Sequence, residues 1–329
     1  MSNEAQVVVD QPHLVLLPQA TAAAAVEWLR HEFPQVRFVM LSADGEVPRD
    51  ARHAKVLFRS IMSMAALEKA VSQLPALEWI QTSTAGFNWV MVPEVAARQI
   101  RLTRTANVLN RPIAEHVLTL TLALLKQLPE LFRAQQRAEW IRPAIRPLYG
   151  ATVGIIGAGA IGREAAVRFR AFGARVIGTK RKPTPLPEFD EVLGSEATRE
   201  LLSTVDVLVI ACPLTSETRH LIGIEELKLM KPNAVLVNVA RGEVVVEADL
   251  VAALRSGLIA GAALDVFATE PLPGHSPFWD LPNVIVSPHA SFIAPGNEAG
   301  VLAEFVENLK RYLNGRDLLN EIGSRELGY

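Results

Sequence analysis

TVGIIGAGAIG, residues 152–162, is the stretch whose reading decides the fold. A β-branched run ends at Ile156, and Gly157, Gly159 and Gly162 follow in G-x-G-x-x-G spacing. The helical pattern AIGREAAVRFRAFG begins at once, with Ala160 and Ile161 in its first turn. The first glycine permits a tight turn, the second lets the backbone approach a pyrophosphate, and the third allows helix to pack closely on strand. The orphan amides of the helix start then face the phosphates. A glycine triplet by itself marks only a βα turn. Strand, turn and helix in this order make it a dinucleotide-binding fingerprint.

Outward from the motif, short β-branched runs alternate with helical patterns, the signature of parallel α/β sheets. Before it the strand candidates are 13–17, 36–41, 54–58, 77–81 and 99–103, with helical patterns such as 21–33 and 64–73 between them. Residues 112–137 read as one long helix, with Pro112 in its first turn and Pro129 kinking or dividing it. After the motif the candidates are 152–156, 175–179, 205–210, 234–239, 259–264 and 283–287. A final helix near 297–313 carries Val301, Leu302, Phe305, Val306, Leu309 and Leu313 on one stripe that must dock. The expected fold is α/β with two doubly wound parallel-sheet domains. One is a central Rossmann dinucleotide-binding domain at 109–297, and the other a flavodoxin-like substrate domain from 1–108 and 298–329. Two such domains facing each other across a cleft would suit a ligand.

Composition narrows the class. The 329 residues are half hydrophobic, enough for two sizeable cores. Lysine and arginine total 33 against 35 acids, a net charge of −2 that argues against a nucleic-acid surface. The one cysteine, Cys212, excludes an internal disulfide framework and a multi-cysteine metal site, and no metal is expected. No basic segment followed by an apolar core opens the chain, and no uninterrupted apolar stretch is read as spanning a bilayer. A cytoplasmic enzyme without a membrane partner is the expectation.

Further segments carry a resemblance. TAGFN at 84–88, the glycine motif, CPLTSETRHLI at 212–222, VNVARGEVV at 237–245, ALDVFATEPLP at 263–273 and SPHAS at 287–291 occur together, in order and at characteristic spacing. The chain resembles the D-isomer-specific 2-hydroxyacid dehydrogenase family over most of residues 55–313, and glyoxylate/hydroxypyruvate reductases within it. The resemblance implies an oxidoreductase that moves a hydride between a nicotinamide dinucleotide and a small 2-oxo acid or D-2-hydroxy acid. It assigns His289 as the acid toward the carbonyl oxygen, Glu270 as holder of the other ring nitrogen, and Arg241 as the fork for the substrate carboxylate. Substrate contacts by the same resemblance are Ala85, Gly86 and Phe87, beside Arg241 and His289.

Dinucleotide contacts implied in this way are Gly157, Gly159, Ala160, Ile161, Gly162, Thr179, Lys180, Arg181, Cys212, Pro213, Thr218, Val239, Ala240, Arg241, Asp265, His289 and Ser291. Asp265 reads as a nicotinamide or ribose contact, or else as a capping aspartate. Cys212 reads as a small apolar filler rather than a nucleophile. Trp140 and Trp279 either border the site or pack helix on loop. Ile61, Met62, Phe87 and Trp89 either admit a hydrophobic substituent or belong to a core.

The second strand of a NAD site ends in an acid that accepts from the ribose. Here it runs into Lys180, Arg181 and Lys182, and Glu188 and Asp190 come too late to serve. A basic triplet attracts a 2′-phosphate, so NADP(H) is favoured and NAD(H) is the alternative. Formate- or phosphite-type dehydrogenases and nucleotide-sensing corepressors share the fold and remain rival readings. A homodimer formed through the apolar 112–128 region is expected by similarity.

Overall fold

Apolar runs of four to six residues are the backbone of two separate parallel sheets. A computed structural model describes residues 13–60, 62–86 and 90–323. The chain divides into one unit within Met1–Ala106 and Glu298–Tyr329 and another of Asn107–Asn297.

In the first unit β1 (His13–Pro18), α1 (Ala23–Glu32), β2 (Val36–Leu41), β3 (Val56–Arg59), α2 (Met64–Ser72), β4 (Trp79–Thr82), α3 (Pro93–Ala97) and β5 (Arg101–Arg104) follow in turn. The strands pair in parallel in the order β2-β1-β3-β4-β5, the flavodoxin-like arrangement. β3 and β4 are buried along their whole length, as expected of parallel strands covered on both faces. These two strands and β5 start about two residues later than the expected 54–58, 77–81 and 99–103. The third does so because Gln99 has a left-handed backbone (φ 52°), which cannot enter a ladder.

The second unit runs α4 (Asn107–Leu125), α5 (Leu128–Gln136), β6 (Thr152–Ile156), α6 (Ala160–Ala171), β7 (Arg175–Lys180), β8 (Glu191–Gly194), α7 (Thr198–Thr204), β9 (Val207–Ile210), α8 (Ile224–Leu227), β10 (Val235–Asn238), α9 (Glu247–Ser256), β11 (Gly261–Leu264) and β12 (Val284–Val286). Its parallel order is β12-β11-β10-β9-β6-β7-β8, which is the Rossmann order with a further strand at one edge. The strand direction of growth reverses beside β6, so the loop that leaves β6 lies at the topological switch point.

Two sequence expectations change here. β8 is absent from the expected strands, because its four residues EVLG carry only a short apolar signal on an edge. The helix expected over 112–137 is two helices that start earlier, and Pro112 is inside α4 rather than in its first turn. The break falls at Gln127, left-handed at φ 55°, with Pro129 in the opening turn of α5. By length and composition α4 could cross a bilayer, but half of it is buried against α6, β10 and β11, as befits a core helix, so the expectation of no membrane span is not overturned.

The last helix, α10 (Asn297–Leu313), returns to the first unit. Its stripe docks as expected: Phe305 stacks on Phe58 at 4.5 Å and on Trp79 at 5.7 Å. Asn308, also buried, donates to Gln81 Oε1 at 2.9 Å and accepts from the Leu319 amide at 2.7 Å. The Phe305 ring and the Asn308 amide thus fasten α10 to the first sheet, together with Tyr312, which packs on Trp79 and donates to Glu78. Phe305→Ala should lower the unfolding free energy of the intact chain by about 3–5 kcal/mol in urea titration. A loss under about 1 kcal/mol would mean that α10 is held by something else.

Candidate active site

The glycine loop is shaped as a phosphate cradle. Gly157 is left-handed (φ 104°), and a Cβ there would sit 2.7 Å from the Ala211 carbonyl carbon and the Cys212 nitrogen. The loop is therefore pressed against the end of β9, and the Gly157 and Ala158 amides both donate to Thr179 O, at 3.2 and 2.8 Å. A Cβ on Gly162 would meet Gly157 O at 2.2 Å, so α6 packs directly on the turn. Gly159 is different, because a Cβ there would meet nothing within 4 Å. No side chain caps α6, whose amides at Ala160 and Ile161 open onto that space. These residues fit a pyrophosphate: one glycine leaves room for it and a helix start faces it.

Around the cradle, Lys180, Arg181 and Lys182 are exposed at the end of β7. Arg181 Nε lies 3.5 Å from the Glu217 carboxylate, which ties the end of β7 to the loop after β9. The two later acids are engaged elsewhere. Glu188 binds Arg163 at 2.6 Å, and Asp190 accepts from the Val176 amide at the opposite end of β7. In the loop after β9, Thr218 Oγ1 donates to Pro213 O at 2.6 Å and accepts from the Thr215 amide at 2.8 Å. Cys212 is buried, and burial pushes its thiol up to about 12, which suits filler and not nucleophile. Val239 and Ala240 are buried as well.

Arg241 follows β10 on a turn held by Asn238, which accepts from the Ala240 amide and donates to Arg241 O, both at 3.0 Å. A Cβ on Gly242 would collide with Phe267 at 2.0 Å, so this turn lies directly against the segment that carries Glu270. Arg241 Nη1 donates to Ala240 O at 2.6 Å. Burial lowers the affinity of its guanidinium for its proton, and the charges of Glu270 and Glu243 act the other way.

Glu270 Oε2 is 2.7 Å from His289 Nδ1, and its Oε1 accepts from the Phe267 amide at 2.9 Å. Burial by itself would raise the Glu270 carboxyl. The His289 hydrogen bond, the Phe267 amide and the charges of His289 and Arg241 together hold it below its ordinary 4.5. The three scattered residues of the sequence reading therefore converge in one unit, at the C-terminal ends of its strands.

His289 itself has a left-handed backbone (φ 51°), a conformation that few residues other than glycine adopt. Asp265 holds it there. The His289 amide donates to Asp265 O at 2.8 Å, while the Ala290 and Ser291 amides donate to the Asp265 carboxylate at 2.9 and 3.2 Å. The Ser287 hydroxyl adds a fourth bond at 2.6 Å. Asp265 is 0% exposed, and its carboxylate organises the loop, as the capping reading expects. Sequence reasoning missed Ser287 and its neighbour His116, whose Nε2 lies 3.0 Å from Ser287 Oγ. No local motif marks His116, which follows Glu115 within the apolar pattern of α4.

In the first unit, Ala85 and Gly86 follow β4 and are half-buried, with Thr84 Oγ1 donating to Gly86 O at 2.7 Å. Phe87, Trp89 and Ile61 lie outside the described residues. Trp140 is 93% exposed and packs no helix on a loop. Trp279 is about half exposed, with Nε1 donating to Pro273 O at 2.9 Å. Among the described residues no group of three His, Cys, Asp or Glu could hold a metal.

The model of the NAD-binding domain of D-isomer-specific 2-hydroxyacid dehydrogenases matches residues 118–291. The chain belongs to the D-isomer-specific 2-hydroxyacid dehydrogenase family. A glyoxylate reductase of Thermococcus gammatolerans is 36% identical over 321 residues, covering 92% of this chain and 93% of the relative. Among solved structures, a D-isomer-specific 2-hydroxyacid dehydrogenase of Xanthobacter autotrophicus Py2, in complex with NADPH and MES, is 30% identical with a TM-score of 0.83. That likeness covers 97% of this chain and all of the other. An NADPH-dependent glyoxylate/hydroxypyruvate reductase of Sinorhizobium meliloti, in complex with NADP and sulfate, is 26% identical with a TM-score of 0.81, covering 95% and 99% of the two chains. Like the rest of the family, this chain is an oxidoreductase with a nicotinamide dinucleotide site.

The open space at Gly159 makes a prediction. Gly159→Val should leave the melting temperature within about 3 °C and weaken dinucleotide binding at least about tenfold, by fluorescence titration. Unchanged binding would place the pyrophosphate elsewhere.

Proposed function

We propose that the chain is an NADPH-favouring reductase of small 2-oxo acids, of the glyoxylate and hydroxypyruvate type, that yields D-2-hydroxy acids. The observation that carries this reading is the 2.7 Å contact of His289 Nδ1 with Glu270, set beside the guanidinium of Arg241. In this reading Arg241 binds the substrate carboxylate and polarises the adjacent ketone through its planar fork. His289 hands a proton from Nε2 to the carbonyl oxygen while Nδ1 stays on Glu270. The Glu270 carboxylate, bonded to Nδ1, keeps the ring oriented before and after the step. A reduced nicotinamide, when bound, supplies the hydride to the 2-oxo carbon.

Gly157, Gly159, Gly162 and the amides of Ala160 and Ile161 would hold its pyrophosphate. Lys180 and Arg181 would meet a 2′-phosphate, which gives the preference for NADPH a charge-assisted basis. The NADPH and NADP present in the two solved relatives support the same preference. The cytoplasm is the proposed compartment.

The homodimer also belongs to the proposal. From α5 to the start of β6 the chain leaves Phe132, Trp140, Ile145 and Tyr149 more than half exposed. So much apolar surface in one short segment marks an interaction site. We assign it, next to the 112–128 region first expected to pair, to a second copy, and light scattering should return twice the 35.9 kDa of one chain. A monomer at working concentration would remove this assignment.

Initial rates with glyoxylate, hydroxypyruvate, pyruvate and phenylpyruvate, each with NADPH and NADH, test the reading. Turnover with kcat/KM at least about threefold higher for NADPH is expected, and His289→Gln should lower kcat by about two orders of magnitude or more with dinucleotide binding retained. Silence across the panel, or equal efficiency with NADH, would sink the corresponding part. The pH profile has a defined sign. Since the Glu270 value is lowered, its charged hold on His289 persists at its ordinary 4.5 and is lost as pH falls below that. Reductive turnover should therefore persist through mild acid; an acid limb that starts above about pH 5 would contradict the pair as drawn.

A further inference from the structure

We propose that His116 is a positioning residue for the proton donor, acting from α4 through Ser287 and Asp265. The inference rests on the reading of His289 as that donor. His116 Nε2 is 3.0 Å from Ser287 Oγ and 3.7 Å from Asp265 Oδ1. The Ser287 hydroxyl has a single proton, and it goes to Asp265 Oδ1 at 2.6 Å. The oxygen of Ser287 can then only accept from His116, which must carry a proton on Nε2. One face of α4 is thus linked by two hydrogen bonds to the carboxylate that holds the loop at His289.

The chain of contacts has a direction. Asp265 Oδ1 gathers the Ser287 hydroxyl and the Ala290 amide, and Oδ2 takes the Ser291 amide. Those two amides belong to the residues immediately after His289, whose own backbone is left-handed. If the Ser287 hydroxyl turns away, the carboxylate loses its shortest bond in a site with no water-facing surface, and its grip on both amides is redistributed. His116 prevents that turn. Its contacts with Ser287 and Asp265 are to the framework of the loop, so its influence runs through position and not through chemistry. The imidazole is 28% exposed, and the two neighbours that take up its Nε2 are both buried. Its helical neighbour Glu115 is engaged with Arg168 of α6 at 3.4 Å.

The test compares His116→Leu with His116→Gln in the full chain. Glutamine keeps an amide N–H where the ring had Nε2–H, and leucine keeps only bulk. The leucine variant should lower kcat about tenfold, the loss expected of one hydrogen bond to an ionised network. KM for the 2-oxo acid, dinucleotide affinity and melting temperature should stay close to the wild type, the first two within about twofold. The glutamine variant should recover kcat to within about threefold. Full activity in the leucine variant, an equal loss in both variants, or a loss confined to KM would overturn the proposal.

Should the wild-type chain reduce no 2-oxo acid at all, the reading of His289 fails separately. The link from α4 would then be judged by the crystal structure of His116→Leu. Loss of the Ser287–Asp265 bond or a shift at residues 289–291 supports it, and an unchanged loop refutes it.

Discussion

A carboxylate with no exposure to solvent, that of Asp265, is the constraint on which the site depends. A buried charge costs several kcal/mol unless donors surround it. Here a hydroxyl and two backbone amides supply them, and the imidazole of His116 stands 3.7 Å away. The same bonds that satisfy the charge fix the path of residues 287–291. Left-handed backbone at a histidine costs of order 1–3 kcal/mol, and it persists only where the surroundings over-determine it. Asp265 does so with both its backbone oxygen and its side chain. The cost of burial and the cost of strain are thus offset by one network, and the outcome is an imidazole aimed at Glu270. Arg241 reaches the same place by a different route. Its turn is tied by the buried Asn238 and pressed against Phe267 because Gly242 has no side chain. Each group therefore comes from the C-terminal end of a strand or the loop after it, which is where parallel α/β sheets present ligand-binding residues. The sheet order sets the glycine loop at the switch point of the same unit, so the glycine cradle and the proposed proton donor share one scaffold.

Much of this was legible in the sequence for a physical reason. Parallel strands covered on both faces must be continuous apolar runs, and VGII, VLVI and VLVN could be little else. The glycine spacing was equally legible, since two of its three members tolerate no Cβ and the third leaves room for a ligand. The trio of Arg241, Glu270 and His289 was legible through the resemblance carried by the surrounding motifs, not through spacing alone.

What stayed hidden depended on tertiary contact. The four residues of β8 carry too little signal to separate an edge strand from a loop. Pro112 invited a helix start that α4 makes earlier, because packing on α6, β10 and β11 outweighs the one hydrogen bond a proline forgoes. Asp265 reads from its place at a strand end either as a ligand contact or as a capping aspartate, and only its burial and hydrogen bonds reveal how it serves the loop. His116 and Ser287 are 171 residues apart, and no local pattern joins them. The proposed cofactor preference rests on charge readable at the end of β7, whereas substrate selectivity belongs to loops whose composition does not set their geometry.

The most direct measurement of the central claim is the crystal structure of the Asp265→Asn variant together with its turnover number. An amide at this position has one acceptor oxygen and an NH2 group that faces a backbone donor, so the network cannot close. The account predicts that His289 leaves its left-handed conformation, that its contact with Glu270 lengthens, and that kcat falls at least about tenfold with the sheet intact. An Asp265→Asn enzyme with the loop in place and full turnover would contradict it.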